Sequence, residues 1–435
     1  MFPIRLKKMI SIQHKQRSVF VGVALGAACC VCTAQSGPAP TVEQAGSLVA
    51  VVREALVRYP AALAARSQVS GAMAELDKAT AARWPVIGLG ASAYQQSLGD
   101  FTSSLTPQAT YTLYAGGGIE AGVQRAQQLV RAAEGKVSGT LDDVAQQAAE
   151  AYLMWARALE QKALAEKNMG VLTQMADDVR KIVAVDAGRA VDLNQAVVRV
   201  NAAALTVYQR DVELQQMRAR LTRYADVLPA QPVGLDDVPL TAPSTLETAL
   251  AAANPTHPLL VQAVAQLEAA KAGVAVARAQ TRPKVDLTWS RQVNPFSMQT
   301  SNLQQLSVNM PVFNGGAGEA SVRSATEQVQ AAHNTLDEHT LVLREKISTA
   351  WADWAMAQQR VSLNQDQSLA GQKLVESYRL QFRLARRSLL ELLNVQNEAY
   401  GYNSAAVQMQ YDHRLARLRL SAAMGELARA VKGEK

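Results

Sequence analysis

The stretch Tyr114-Ala-Gly-Gly-Gly-Ile-Glu-Ala-Gly122 is the segment of this 435-residue chain whose residue types and spacing come nearest to a chemical site. A glycine-rich turn between a strand and a helix can aim backbone N–H groups at a phosphate, with the helix N-terminus adding partial positive charge. Here no Lys-Ser/Thr follows, and the GxGxxG spacing of a dinucleotide loop is missing. The four histidines after residue 34, at 257, 333, 339 and 413, lack ligand spacing; His333 and His339 are six apart and do not share a helix face. No nucleophile-base constellation can be assembled, so the expectation is no enzyme, no cofactor and no metal site.

The elements around the glycine turn explain it better. Hydrophobic residues make up 49% of the chain and aromatics only 5%, a mix that favours long helices packed through small side chains. Residues 1–34 read as an export signal: Arg5, Lys7, Lys8, Lys15 and Arg17 precede the apolar run Val19 to Val31, and Cys32-Thr33-Ala34 offers small residues for cleavage. Lipidation of Cys29, Cys30 or Cys32 is the alternative, without a convincing lipobox. Removing five basic and no acidic residues takes the formal charge from +7 to +2, so the case for a nucleic-acid partner falls away. All three cysteines leave with the signal, and with them any disulfide or thiolate chemistry.

The remainder is written twice. Pro60 to Pro85 matches Pro258 to Pro283 without a gap, and Tyr114-Ala-Gly-Gly matches Phe313-Asn-Gly-Gly. Each copy predicts a proline-bounded helix (61–83 and 259–281), then alternating residues of a strand hairpin (about 85–114 and 284–313). In the second copy Val285, Leu287 and Trp289 oppose Asp286, Thr288 and Ser290, and Val308, Met310 and Val312 alternate in the return strand. Long helices follow. Val322, Ala325, Val329, Ala332, Leu336, Thr340, Leu343, Ile347, Ala350, Trp354, Ala357 and Val361 step by three and four as a coiled-coil seam. The proline-free run from about 317 to 384 would reach on the order of 100 Å. These signals divide the chain into residues 1–34, a first repeat over 35–228, a proline-rich linker at 229–246 and a second repeat over 247–435.

Four strands cannot close a barrel, and an open sheet with one apolar face leaves its edges bare. In a bilayer only helices and closed barrels satisfy the backbone, so copies must pool their hairpins; three copies supply about twelve strands. Trp84, Tyr114 and Phe313 near the strand-helix joints, and Phe101 and Phe296 near the hairpin tips, suit interfacial girdles in outer-membrane lipid.

The sequence resembles the TolC-type outer membrane factors, the exit ducts of bacterial efflux pumps and type I secretion systems. The resemblance rests on the duplicated proline-anchored helix, the hairpins, the "AGG" and "NGG" turns, and the paired "DLNQA" (Asp192 to Ala196) and "ELLNVQ" (Glu391 to Gln396). It implies a mixed, mostly α protomer that trimerises into a 12-stranded β-barrel continuous with a 12-helix α-barrel. The homotrimer would sit in the bacterial outer membrane, extend into the periplasm, and dock a periplasmic adaptor and an inner-membrane ABC or proton-driven transporter. Gly116, Gly117, Gly315 and Gly316 then serve as strand-to-helix turns. By the same resemblance Glu391 and Asn394 match acidic positions lining a closed entrance. Arg387 matches a basic residue that holds it shut, Asp192 is its neighbour from the first repeat, and Phe382 stands where a tyrosine is usual. Gly188, Arg189, Ala385 and Arg386 fall at the tips expected to meet the adaptor, Ala385 replacing a customary glycine.

Two local alternatives accompany that assignment. Ser388 to Glu391 is also a capping box, and Arg387 and Glu391 stand at i, i+4 spacing. Three Glu391 carboxylates around an axis would raise one another's pKa; a cap would fold each back on its own helix. At the level of the whole chain, the competing reading is a periplasmic coiled-coil adaptor or scaffold without a pore.

Overall fold

A computed structural model describes residues 46–433 except 96–100, 239, 241–242, 254–255 and 295–298. The expected export signal, its cysteines and Phe296 therefore lie outside the described residues.

Both proline-anchored helices form, as α2 (Pro60–Ala81) and α6 (Pro258–Ala279). Proline suits the first helical position because its fixed φ is already helical and its missing N–H would have no partner there. His257 caps α6, its Nδ1 accepting from the Leu259 N–H at 3.2 Å. A short α1 (Leu48–Arg58) precedes α2.

Each small helix leads into a hairpin: β1 (Val86–Gln95) with β2 (Phe101–Tyr114), and β3 (Lys284–Val293) with β4 (Thr300–Asn309). The hairpins join through β2 and β3 into one antiparallel sheet of order β1-β2-β3-β4, with a register shift between Thr112 and Tyr114. β4 is shorter than the alternation predicts. It stops at Asn309, before Met310 and Val312, because Pro311 has no N–H to give a ladder.

The long helices are α3 (Gly118–Val183), α4 (Ala190–Leu221), α7 (Ala317–Arg383) and α8 (Leu389–Ala423). At 66 and 67 residues, α3 and α7 each extend about 100 Å. Of the predicted seam on α7 only Thr340 is exposed; the other eleven positions are buried or half-buried, Leu343 and Ile347 most deeply. α3 packs against α2, α4, α6 and α8, whereas α7 touches α6, α8 and the short α5 (Leu246–Ala253). Gly135 lets α3 and α6 approach backbone to backbone: a Cβ there would lie 2.9 Å from the Gln262 nitrogen.

The proline-rich stretch between the halves is tied down. Val233 bridges Ser47, and the Tyr152 hydroxyl, buried in α3, accepts from the Val233 N–H at 2.9 Å while facing the Gly46 and Val233 carbonyls. The main core gathers there from α1, α3, α4, α8 and the terminal α9 (Leu427–Lys432).

Candidate functional site

Three places could carry function: the sheet, the strand-to-helix joints and the two helical tips. In the sheet, residues paired across strands share a face. Ile87, Ala109 and Trp289 fall on one side, with Tyr111, Leu287 and Leu306 continuing it. The other side is polar: Ser92 and Ser104 hydroxyls lie 2.8 Å apart, and Thr112 donates to Asp286 at 2.7 Å. The apolar side is bare, Ile87 being 82% and Leu306 62% exposed. Trp84 and Phe313 stand exposed where strands meet helices, and Tyr114 ends β2. One face of the sheet suits an apolar medium and the other suits water.

At the joints, Gly116 and Gly117 have φ of 63° and 85°, and Gly315 and Gly316 of 67° and 83°. Glycine adopts this left-handed region without the steric cost a Cβ brings. Gly116 is also crowded: a Cβ would meet Arg282 Cβ at 2.7 Å, and Arg282 Nη1 donates to the Gly116 carbonyl at 3.0 Å. The Gly315 pair has open space. The Tyr114–Gly122 stretch is thus a strand-to-helix turn.

The first tip joins α3 to α4. Asp186 accepts from the Gly188 N–H at 3.1 Å, Ala187–Arg189 forms a 3-10 turn, and Arg189 pairs with Asp192 at 2.9 Å. The second tip joins α7 to α8 through a left-handed reversal at Ala385, φ 57°, the sole non-glycine residue with positive φ among those described. The Ala385 and Arg386 N–H groups reach back to the Phe382 and Gln381 carbonyls, both at 2.9 Å. That pattern closes a helix C-terminus and normally uses glycine.

Both local alternatives for Glu391 are realised. Its backbone N–H donates to Ser388 Oγ at 3.3 Å, its carboxylate accepts from the Ser388 N–H at 3.0 Å, and Arg387 Nη1 donates to it at 2.8 Å. Within one chain the Ser388 N–H, then Arg387, hold its pKa below the usual carboxylate value. Arg387 also lies over the Tyr378 ring at 4.9 Å. Asn394 accepts from Arg199 at 3.0 Å, linking the tips. Asp192 pairs with Arg189 of its own tip, and Arg189 also sits over the Phe382 ring of the second, at 5.9 Å.

Known proteins share this arrangement. Residues 249–426 match the family described as outer membrane efflux protein. The chain is 26% identical over 293 residues to the outer membrane efflux protein BepC of Brucella suis, a match covering 65% of this chain and 63% of BepC. It is 28% identical over 408 residues to protein CyaE of Bordetella pertussis, covering 88% of this chain and 85% of CyaE. The solved structure of CusC, reported with its transmembrane channel formation, superposes with a TM-score of 0.77 at 19% identity over 87% of this chain and 92% of CusC.

Over residues 249–426 the chain is similar to outer membrane efflux proteins. That similarity places it in the outer membrane, and its fold is that of the solved channel CusC. The long helices α3 and α7 run from the joints beside the two-faced sheet to the tips at their far ends. Sequence reasoning missed two buried groups between. Asp142 of α3 accepts from the Ala428 N–H at the start of α9, at 2.8 Å. His257 faces the turn at Gly425, where an added Cβ would meet its ring at 3.0 Å. Their sequence signals were slight: one Asp in an Ala/Gln-rich helix, and a His before a helical proline.

Proposed function

We propose that three copies of this chain pool their sheets into one twelve-stranded barrel and act as a passive exit duct. One observation carries this reading: the sheet ends in β1 and β4, each with one hydrogen-bonded neighbour, while its exposed apolar face calls for lipid. An edge left open in a bilayer would strand backbone groups, and sharing it between copies removes it. The helices support the same count. On α4 Val191, Val198, Leu205 and Val212 recur every seven residues, each more than half exposed, opposite the buried Ala196, Ala203 and Leu214. On α7 Met356 and Leu363 lie opposite the seam and are likewise exposed. Two unpartnered stripes on one chain suit a seam between neighbours.

In this reading residues 35–228 and 247–435 are two copies of one unit joined at 229–246. Glu391, Asn394, Arg387 and Asp192 surround the periplasmic entrance, and Gly188, Arg189, Ala385 and Arg386 meet an adaptor that links the duct to an inner-membrane transporter. A pore-free scaffold is not favoured, having no use for a sheet with one apolar face and two bare edges. The test is extraction of outer membranes with detergent, followed by planar-bilayer recording. A heat-labile trimer with unitary conductance is expected; a water-soluble monomer without conductance would refute the duct.

A further inference from the structure

The two tips differ in charge. Over sixteen residues, Asp177–Asp192, the first tip carries four aspartates against Arg180, Lys181 and Arg189, a balance of −1. Those charges are consumed locally: Arg180 pairs with Asp177, Lys181 with Asp178 at 3.7 Å and Arg189 with Asp192, while Asp186 holds the turn. The sixteen residues Arg379–Asn394 carry Arg379, Arg383, Arg386 and Arg387 against Glu391 alone, a balance of +3. Glu391 is taken up by Arg387 and the helix cap. Arg383 and Arg386 are exposed, flank the reversal at Ala385, and have no carboxylate partner among the described residues.

Solvent-exposed arginines that no local carboxylate neutralises are free to pair across an interface, where charge complementarity sets partner choice and encounter rate. We propose that the α7–α8 tip, through Arg383 and Arg386, docks an acidic surface of the periplasmic partner, and that the α3–α4 tip does not take part in this charge recognition. The proposal rests on the duct reading for the tip facing a periplasmic partner. It adds the chemistry of that partner: carboxylates on the docking element.

The experiment uses the full-length trimer in detergent and a fluorescent synthetic helical hairpin whose turn carries four glutamates, with a glutamine twin. Anisotropy is read for wild type, Arg383→Gln/Arg386→Gln, and Arg180→Gln/Lys181→Gln, which loses the same formal charge. The glutamate hairpin should bind wild type and the first-tip variant alike. It should bind the second-tip variant about ten-fold more weakly, the scale of two lost surface ion pairs, and should weaken for wild type when salt is raised. Equal binding to all three proteins, equal binding of the glutamine twin, or no binding would overturn the proposal. So would a shifted reversal potential in the second-tip variant with unchanged hairpin binding, since the arginines would then face the bore. Single-channel conductance of the same preparations separates the two readings: a conducting trimer indifferent to the hairpin retains the duct and loses the docking chemistry.

Discussion

The helices α3 and α7 occupy equivalent places in the duplicated chain and live in different surroundings. Twenty-four of the 66 residues of α3 are buried, against five of the 67 in α7. The cause is neighbours: α3 is enclosed by α2, α4, α6 and α8, while α7 has one flank covered and one bare. α7 is nonetheless apolar on its bare side, at Met356 and Leu363, and so is α4. Equivalent sequence in unequal surroundings leaves α7 with an apolar flank that, in the proposed duct, another copy would cover.

The most drastic way to break the comparison is to charge the bare stripes. Val198→Glu/Leu205→Glu on α4, or Met356→Glu/Leu363→Glu on α7, should abolish the heat-labile trimer. Each buried apolar side chain contributes about 1.5–3 kcal/mol, and a threefold assembly repeats the loss at every seam. Gel mobility without boiling reads the trimer, and circular dichroism should show helix retained, since neither stripe packs within the chain. A persistent trimer would place the seam elsewhere. Ala148→Glu on α3, at a fully buried site, should instead unfold the protomer.

A second contrast lies between two buried groups near the α8–α9 turn. Burial lifts the Asp142 carboxyl to about 6, the hydrogen bond from Ala428 opposing. Burial lowers the His257 imidazole to about 4, Lys346 adding to the effect. Between about pH 4 and 6 the folded chain holds more proton on Asp142 than the unfolded chain does, so this group's stability is lost as pH rises. Over about pH 4 to 6.5 it holds less on His257, so that group's stability is lost as pH falls. The two slopes oppose each other in wild type. Asp142→Asn should expose the histidine slope, a loss on the order of 2–3 kcal/mol on acidification to pH 4; His257→Asn should expose the opposite slope. Urea midpoints across pH 4–7 measure both, and parallel profiles in the two variants would reject the assignment.

Tyr152 gives a third, smaller contrast with Trp351, which lies at the offset of 199 that also relates Tyr114 to Phe313. The Tyr152 hydroxyl joins α3 to the stretch between the repeats, whereas Trp351 Nε1 is buried without a partner among the described residues. Tyr152→Phe removes the acceptor of the Val233 N–H and should cost about 0.5–1.5 kcal/mol in urea unfolding, the scale of one lost hydrogen bond.

What the sequence made legible was local. The helix starts at Pro60 and Pro258, the left-handed glycine pairs and the three-four seam on α7 each follow from a few neighbouring residues, and each is found in the fold. The capping box at Ser388 and the Arg387–Glu391 pair were legible too, because spacing of three and four on a helix dictates contact. Contacts that close over long loops were not. Nothing near Asp142 announces Ala428, 286 residues away, and nothing near Tyr152 announces Val233. The tip residues divide the same way: Glu391 could be placed against its own helix, while the Arg189–Phe382 and Arg199–Asn394 contacts depend on how two tips far apart in sequence pack.

The smallest effect concerns the tips as backbone turns. Ala385 holds a left-handed conformation that costs an L-residue about 1 kcal/mol relative to glycine, and the cost is retained in the fold because two backbone hydrogen bonds define the reversal. Ala385→Gly should therefore stabilise the second tip by up to about 1 kcal/mol, less the entropy glycine adds to the unfolded chain. Gly188 of the first tip has no positive φ, and a Cβ there would meet only the Asp186 carboxylate oxygen at 3.1 Å. Gly188→Ala should accordingly leave the first tip nearly unchanged. Amide hydrogen exchange at residues 381–391 and 183–193 resolves the two turns separately. Slower exchange only at the second tip after Ala385→Gly is the expected result; no change there would mean that the reversal carries no strain.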